Sequence, residues 1–373
     1  MSLATKFDVL AVPLYVPGTT SEEDARLPVK LGSNEAALGT SPRALEAYHA
    51  AAAEAFRYPD AIGMDIKQAL VSATAPHARQ FVLGAGSESL IHLLARAYAG
   101  PGDDVVMTQY GFQLYRIAGL CTGAKVVLAD DSPNLTASVD NILAAVTPRT
   151  RIVFLANPNN PTGTLISAAE VRRLVAGLPG SVLLVLDAAY MHYVDDPAYS
   201  SGTELIGEGR KNVVVLGTFS KAFGLAGLRL GWAYCPPEIV GVLDRIRPTF
   251  GVPVPALRAG LVALEDTAHV AREVAHVRAQ RPVLEAGLRR LGLRVIPGTA
   301  NFTLARMPRA DQPADALVAH LRTAGILVRP VKNYALADSL RITIGTQAEI
   351  AAVLAAVAAF PGLHGDIARR VGT

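Results

Sequence analysis

Val213-Val214-Val215-Leu216-Gly217-Thr218-Phe219-Ser220-Lys221-Ala222-Phe223-Gly224-Leu225-Ala226-Gly227-Leu228-Arg229-Leu230-Gly231 is the stretch on which the reading of this chain turns. An apolar, β-branched run passes into small and hydroxyl residues around one lysine, then into a glycine-rich turn with one arginine. Val213–Leu216 has the composition of a strand covered on both faces. Lys221 has no acidic neighbour of the kind a surface salt bridge needs. Taken alone it could be an exposed loop lysine. In a desolvated loop, however, the amine's pKa falls and the free base becomes a nucleophile, the usual setting of Schiff-base lysines.

Runs of the same kind lie upstream, at Gln80–Leu83, Val105–Thr108, Lys125–Leu128, Arg151–Ala156 and Val182–Leu186, alternating with helical stretches. Ser167 followed by Glu170 predicts a capping box at one helix start. This alternation predicts an α/β fold with a mostly parallel sheet. In such sheets ligands bind beyond the carboxyl ends of the strands. At those ends stand Gly84-Ala85-Gly86-Ser87-Glu88, Asn157-Pro158-Asn159-Asn160-Pro161-Thr162-Gly163, Asp187 with Tyr190, and Lys221 with Arg229. The glycine turn suits an anion held by backbone N–H groups at a helix N-terminus. It is equally a tight turn with Ser87 as the helix cap. It is not a dinucleotide fingerprint, because Ser89 occupies the position of the third glycine. The asparagine-proline segment could be only a rigid turn, Asp187 only a cap and Tyr190 only core. A sheet without a chemical task has no need of all four at one edge.

The rest of the chain sets limits. Its 373 residues allow two or three domains, and 51% hydrophobic with 18% charged residues excludes a disordered chain. Thirty-five basic against 32 acidic residues, with no basic run, speaks against a nucleic-acid partner. Two cysteines cannot build a disulfide framework and suit a reducing compartment. The longest apolar run, Ile350–Phe360, is too short to span a membrane. No charged-then-apolar leader is present, and Met1-Ser2-Leu3 reads in part as an expression scar. A soluble, cytoplasmic protein is expected. Residues 1–45 are punctuated by Pro13, Pro17, Gly18, Gly32, Gly39 and Pro42, too closely for long elements. Beyond residue 255 a long helical region reaches Leu291, with Pro282 as its expected break. Strand-like pieces at Arg294–Ile296, Phe302–Arg306, Ile326–Arg329 and Leu340–Ile344 then predict a smaller α+β unit. His92, His192, His269, His276 and His320 lack H-E-x-x-H-type spacing, so no metal is expected. Neither a P-loop nor a G-x-S-x-G elbow occurs.

Thr218 to Gly231 resembles the lysine signature of pyridoxal-phosphate-dependent aminotransferases of fold type I. Within them the chain most resembles the histidinol-phosphate aminotransferase family. Supporting stretches are Ser33-Asn34-Glu35, Arg57-Tyr58-Pro59-Asp60, Asn159-Asn160-Pro161-Thr162-Gly163 and Leu340-Arg341-Ile342-Thr343-Ile344-Gly345-Thr346. The resemblance implies an N-terminal arm and part of a small domain over 1–50, a large cofactor-binding domain over 51–282, and the rest of the small domain over 283–373. It implies that Lys221 forms the Schiff base with pyridoxal phosphate and then shuttles a proton. Asp187 would pair with the pyridinium nitrogen, and Tyr190 and Asn160 with the ring's phenolic oxygen. Ser87, the Glu88 backbone N–H, Thr218, Ser220 and Arg229 would hold the phosphate. Phe112 would stack on the ring, in a segment closed by Tyr115. Because Tyr110-Gly111 replaces the family's Pro-Thr there, Tyr110 is a rival. Tyr58 would reach the phosphate of the neighbouring subunit, which implies a homodimer with shared sites.

Arg341 and Arg329, which alone read as solvent-facing strand arginines, would clamp the substrate's distal phosphate or the carboxylate of glutamate. Asn34 opens the family's N-E-N-P segment, here Asn34-Glu35-Ala36-Ala37, so substrate identity stays open. The family's D-E-A-Y is Asp187-Ala188-Ala189-Tyr190, with Ala188 expected to point away from the ring. The implied reaction is a ping-pong amino-group exchange between histidinol phosphate, or an amino acid, and 2-oxoglutarate. Alternatives on the same scaffold are an aromatic amino acid aminotransferase and, further off, a cofactor-dependent decarboxylase or lyase.

Overall fold

Apolar, β-branched runs form the strands of the central sheet. A computed structural model of the chain describes residues 9–15, 21–74 and 77–363; Met1-Ser2-Leu3, Pro17 and Gly18 lie outside the described residues. Seven strands stand in the spatial order Phe81–Gly84, Gly231–Tyr234, Val213–Thr218, Leu183–Asp187, Thr150–Ala156, Asp104–Thr108 and Lys125–Ala129. The last five pair in parallel. Three of them, Asp104–Thr108, Leu183–Asp187 and Val213–Thr218, are buried at every residue, whereas the edge strand Lys125–Ala129 is largely open. Alternate residues feed two cores. Val106, Val153, Leu184 and Val215 face one layer, and Val105, Phe154, Val185 and Leu216 face the other. Each such buried side chain contributes about 1.5–3 kcal/mol of transfer free energy.

The expected parallel strands are all present, each within a residue or two of its reading. One strand, Gly231–Tyr234, is an addition. It runs antiparallel to both of its neighbours, filling the slot between Phe81–Gly84 and Val213–Thr218. Four residues beginning at a glycine carry too short a pattern to stand out from the preceding loop.

A second, antiparallel sheet has the order Arg329–Pro330, Ser339–Thr343, Phe302–Arg306, Arg294–Ile296. Its core unites Phe302, Leu340 and Ile342 with Val277, Leu284 and Leu288 of the long helix Thr267–Arg290. Pro282 does not break that helix. It sits on the exposed face, while buried residues on both sides of it hold the helix in place. The interruption comes earlier, at Asp266, which caps the long helix by accepting from the His269 N–H and ends Val254–Glu265. Ile326–Arg329 is likewise two elements. Ile326–Leu327 pairs in parallel with Val29–Lys30, and Arg329–Pro330 joins the second sheet. The Ser167 box is half formed: Ser167 accepts from the Glu170 N–H, but the Glu170 carboxylate pairs with Arg173 instead. Among the described residues no helix is long and apolar enough to cross a membrane.

Candidate active site

A cavity of about 360 Å³ opens where Thr150–Ala156, Leu183–Asp187 and Val213–Thr218 end, and segment 32–35 and the second sheet close its other side. Asn34, Ser87, Glu88, Phe112, Asn160, Asp187, Tyr190, Thr218, Ser220, Lys221, Arg229, Arg329 and Arg341 all line it. Tyr58 does not. It is exposed, stacks on Phe250 with ring centroids 4.5 Å apart, and borders a separate surface hollow with Arg57 and Arg258. Tyr110 also lies outside the cavity, packed beside Leu135 and Tyr334, so of the two rival aromatics Phe112 is the one that faces in.

Lys221 follows the fully buried strand Val213–Thr218, and its Nζ donates to the Ser33 carbonyl at 3.0 Å. Burial above all, then the guanidinium of Arg341, brings its pKa down to about 7, against the pull of Glu35 and Asp187 and with further help from Arg229. The amine is therefore a nucleophile at neutral pH.

Asp187 ends its strand with a buried carboxylate. Oδ2 accepts from the Tyr115 hydroxyl at 2.7 Å, and Oδ1 from the Ala189 N–H at 3.1 Å. Burial raises its pKa, opposed by these two bonds and by Lys221. A cation placed against it would recover that desolvation cost. Burial also pushes the Tyr190 phenol up, with Arg341 and the Asn34 amide bond working against it. Ala188 packs into the core and Ala189 faces the cavity, as the sequence predicts for Ala188.

The glycine turn is built for close approach. Gly86 has φ +76°, and a Cβ there would collide with the Arg229 guanidinium; a Cβ on Gly231 would strike the Ser87 backbone. Ser87 is not the helix cap. The helix is Gly86–Tyr98 with Ala85 at its N-cap position, which leaves the Ser87 hydroxyl and the first-turn N–H groups at the cavity. Arg229 donates to the Ala226 carbonyl at 2.9 Å and approaches Glu88 only to 4.0 Å. In the proline-rich loop the three asparagines divide their tasks. Asn157 bonds Ile166 twice and Asn159 bonds Thr162 and the Tyr110 carbonyl, whereas Asn160 accepts from Arg341 at the cavity.

Neither C-terminal arginine faces solvent. Arg329 and Arg341 are 5% and 7% exposed, on adjacent strands where the two residues are direct cross-strand partners. Arg341 donates to Asn160 and, at 2.7 Å, to the Gly32 carbonyl, while its buried Nε has no partner. Arg329 lies 5.8 Å from the Tyr15 ring centroid, and burial lowers its pKa. Three arginines and three acidic side chains line the cavity beside Lys221.

The sequence did not single out Tyr15, nor the bonds made by Tyr115 and Asn34, which it did name. Tyr15 lines the cavity and meets Phe112 edge-on at 6.3 Å. Tyr115 supplies the Asp187 bond. Asn34 has φ +56°, held by the Thr343 hydroxyl at its N–H, by Asn301 at its carbonyl, and through its own amide donation to Tyr190 at 2.9 Å. Arg229 is left-handed too, at φ +54°. Such backbone costs about 1–3 kcal/mol per residue and persists where the surroundings over-determine it. No periodicity marks these residues, since they come from four distant parts of the chain. The histidines are structural where their bonds are seen: His269, His276 and His320 each bond a backbone carbonyl, and His192 packs edge-on against Phe223.

Residues 28–357 match the family Aminotransferase class I and II. Over 355 residues, 95% of this chain and 97% of the relative, the chain is 49% identical to the histidinol-phosphate aminotransferase of Paramagnetospirillum magneticum. It is 44% identical to that of Maricaulis maris over 96% of this chain and 99% of the relative. A crystal structure of histidinol-phosphate aminotransferase from Sinorhizobium meliloti, in complex with pyridoxal-5'-phosphate, superposes with a TM-score of 0.87 at 27% identity, covering 98% of this chain and 99% of that one. The residues present fit that cofactor: an amine for its aldehyde, a buried carboxylate for a ring cation, and a glycine cradle under Arg229 for its phosphate. Sequence, fold and cavity therefore agree that the chain belongs to the pyridoxal-phosphate-dependent aminotransferases of class I and II, in the histidinol-phosphate aminotransferase family.

Proposed function

We propose that this transaminase exchanges the amino group of histidinol phosphate with 2-oxoglutarate, working in the cytoplasm as a homodimer. The observation that carries the reading is the convergence of Lys221, Asp187, Tyr190 and the partly unpartnered Arg341 on one cavity. The names and near-complete coverage of the curated relatives support the substrate pair.

When bound, pyridoxal phosphate supplies an aldehyde that accepts and returns amino groups, and a ring that takes up the electron pair of carbon–hydrogen cleavage. Lys221 would hold its aldehyde, and as an amine whose pKa burial lowers it would serve as the base that moves the proton at the substrate α-carbon. Asp187, oriented by Tyr115 and Ala189, keeps a proton on the ring nitrogen. Tyr190 and the free amide nitrogen of Asn160 bond the ring's phenolic oxygen. Phe112 stacks on the ring. Ser87, the Glu88 N–H, Thr218, Ser220 and Arg229 hold the phosphate, joined by the partner subunit's Tyr58. Arg341 binds the carboxylate or distal phosphate of the substrate, Arg329 assists at the outer wall beside Tyr15, and Asn34 covers the site. Exposed Phe56, Tyr58 and Phe250 favour a second copy on that face, and the two free cysteines suit a reducing compartment.

Borohydride treatment of the purified yellow protein is expected to fix one pyridoxyl group on Lys221, and Lys221→Ala to abolish transamination. Half-reaction spectroscopy with histidinol phosphate, phenylalanine, tyrosine and glutamate ranks the donors. A pyridoxyl group on another lysine would overturn the assignment of Lys221. A clear preference for phenylalanine or tyrosine would replace the substrate with an aromatic amino acid.

A further inference from the structure

Glu273, on the long helix Thr267–Arg290, is fully buried. Its Oε2 accepts from the Leu38 N–H at 2.9 Å, and its Oε1 from the Ala37 N–H and the Tyr193 hydroxyl, both at 3.3 Å. Two of its three donors are thus main-chain groups just downstream of residues 32–35, the segment that closes the cavity. That segment is pinned at both ends. Upstream, the Gly32 carbonyl accepts from Arg341 and the Ser33 carbonyl from Lys221. Between the anchors sits Asn34 in a left-handed conformation, its amide on the Tyr190 hydroxyl. A non-glycine residue keeps such backbone only while both flanks are held; Asn301 holds the Asn34 and Glu35 carbonyls, and Glu273 supplies the next side-chain anchor downstream, at the Ala37 and Leu38 N–H groups. Ala37 matters here because it has an N–H, which a proline at that position would lack.

We propose that Glu273 is a positioning residue for transamination: it fixes the backbone of residues 34–38 so that the Asn34 amide stays on Tyr190. The inference rests on the role given to Tyr190 above. By donating to the phenol oxygen, Asn34 polarises the Tyr190 hydroxyl and strengthens it as a donor toward the cofactor. A carboxyl group satisfies both main-chain N–H groups. An amide side chain cannot, since its NH2 would face one of them in a dry site.

The test uses the holoenzyme of wild type, Glu273→Gln and Tyr193→Phe, each checked for folding and for borohydride fixation at Lys221. Glu273→Gln is expected to lower kcat on the order of 10–100-fold, as misplacement of a supporting group does. The KM for the amino donor should stay within about threefold, because no substrate contact is removed. The pH midpoint of the bound cofactor's absorption band should rise, since a weaker Tyr190 donor leaves more negative charge on its acceptor. Tyr193→Phe removes the third donor and a hydroxyl contact to Asn301 but leaves the Ala37 and Leu38 N–H groups their carboxylate, and should leave kcat and midpoint within about twofold of wild type. A folded Glu273→Gln enzyme with wild-type kcat and midpoint overturns the inference, as does a Tyr193→Phe enzyme showing the same losses. If Glu273→Gln does not fold, Ala37→Pro decides, with a smaller shift in the same direction expected and no shift overturning it. Failure of the wild type itself to fix the cofactor on Lys221 would instead count against the proposed function.

Discussion

The Lys221 amine should titrate far below an ordinary lysine before any cofactor is present. With a pKa of 10.5, about one amine in 3,000 is unprotonated at pH 7; with a pKa near 7, about half are, a gain of roughly a thousandfold in nucleophile. The assay is trace acetylation of the cofactor-free protein with limiting acetic anhydride from about pH 5 to 11, read peptide by peptide by mass spectrometry. An unstructured lysine peptide labelled in the same tube supplies the reference lysines. Lys221 should reach its plateau about three pH units below an ordinary lysine. Arg341→Gln should move its midpoint upward, since the Arg341 cation helps to depress it.

Stability supplies a second arm. With its folded-state pKa lowered, Lys221 destabilises the fold fully below about pH 7, and this penalty fades as pH rises toward 10.5. Lys221→Met should therefore be more stable than wild type by about 2–3 kcal/mol at low pH, a figure reduced because the amine keeps one side toward the cavity. The gap should close by about pH 10.5. A labelling curve that coincides with the reference lysines, or a stability gap flat with pH, would refute the argument from burial.

Two further outcomes follow from the cavity walls. Arg341→Ala should cut kcat/KM for anionic donors and acceptors by an amount equivalent to about 1.5–3 kcal/mol, the worth of charge-assisted hydrogen bonds, while sparing neutral analogues; steady-state kinetics on a charged and uncharged pair would show whether the arginine is a clamp or only a brace for Asn160 and Gly32. Tyr115→Phe deletes a bond that holds the Asp187 pKa down, so the carboxylate should protonate at higher pH and the acid limb of the kcat/KM profile should move upward. An acid limb that stays in place would mean that Asp187 does not depend on Tyr115.

Much of the site was legible because chemistry and local pattern coincide at strand ends. Lys221, Asp187, Asn160 and the glycine turn each follow an apolar run, and a parallel sheet delivers the ends of such runs to one edge. The second sheet was equally readable in outline, although Pro282 misleads as a boundary. Propensity assigns proline a local cost, and it does not register that Val277, Leu284 and Leu288 bury the opposite face of that helix. Ser87 was ambiguous for a related reason. Cap or ligand depends on where the helix starts, and Gly86 at φ +76° starts it two residues earlier than a Ser87 cap allows.

What the amino-acid order determined by itself is the alternation of strand and helix and the residues at the strand ends, since these depend on neighbours a few positions apart; the cofactor came from the resemblance those residues carry. Tertiary structure alone decided that Arg329 and Arg341 turn inward, that Tyr115 orients Asp187 across 72 positions, and that Glu273 anchors the backbone of a segment some 235 positions away. The reason is that burial and hydrogen-bond partnership are properties of assembled surfaces. An arginine on a strand carries no mark of the wall it will meet until the chain has closed around it.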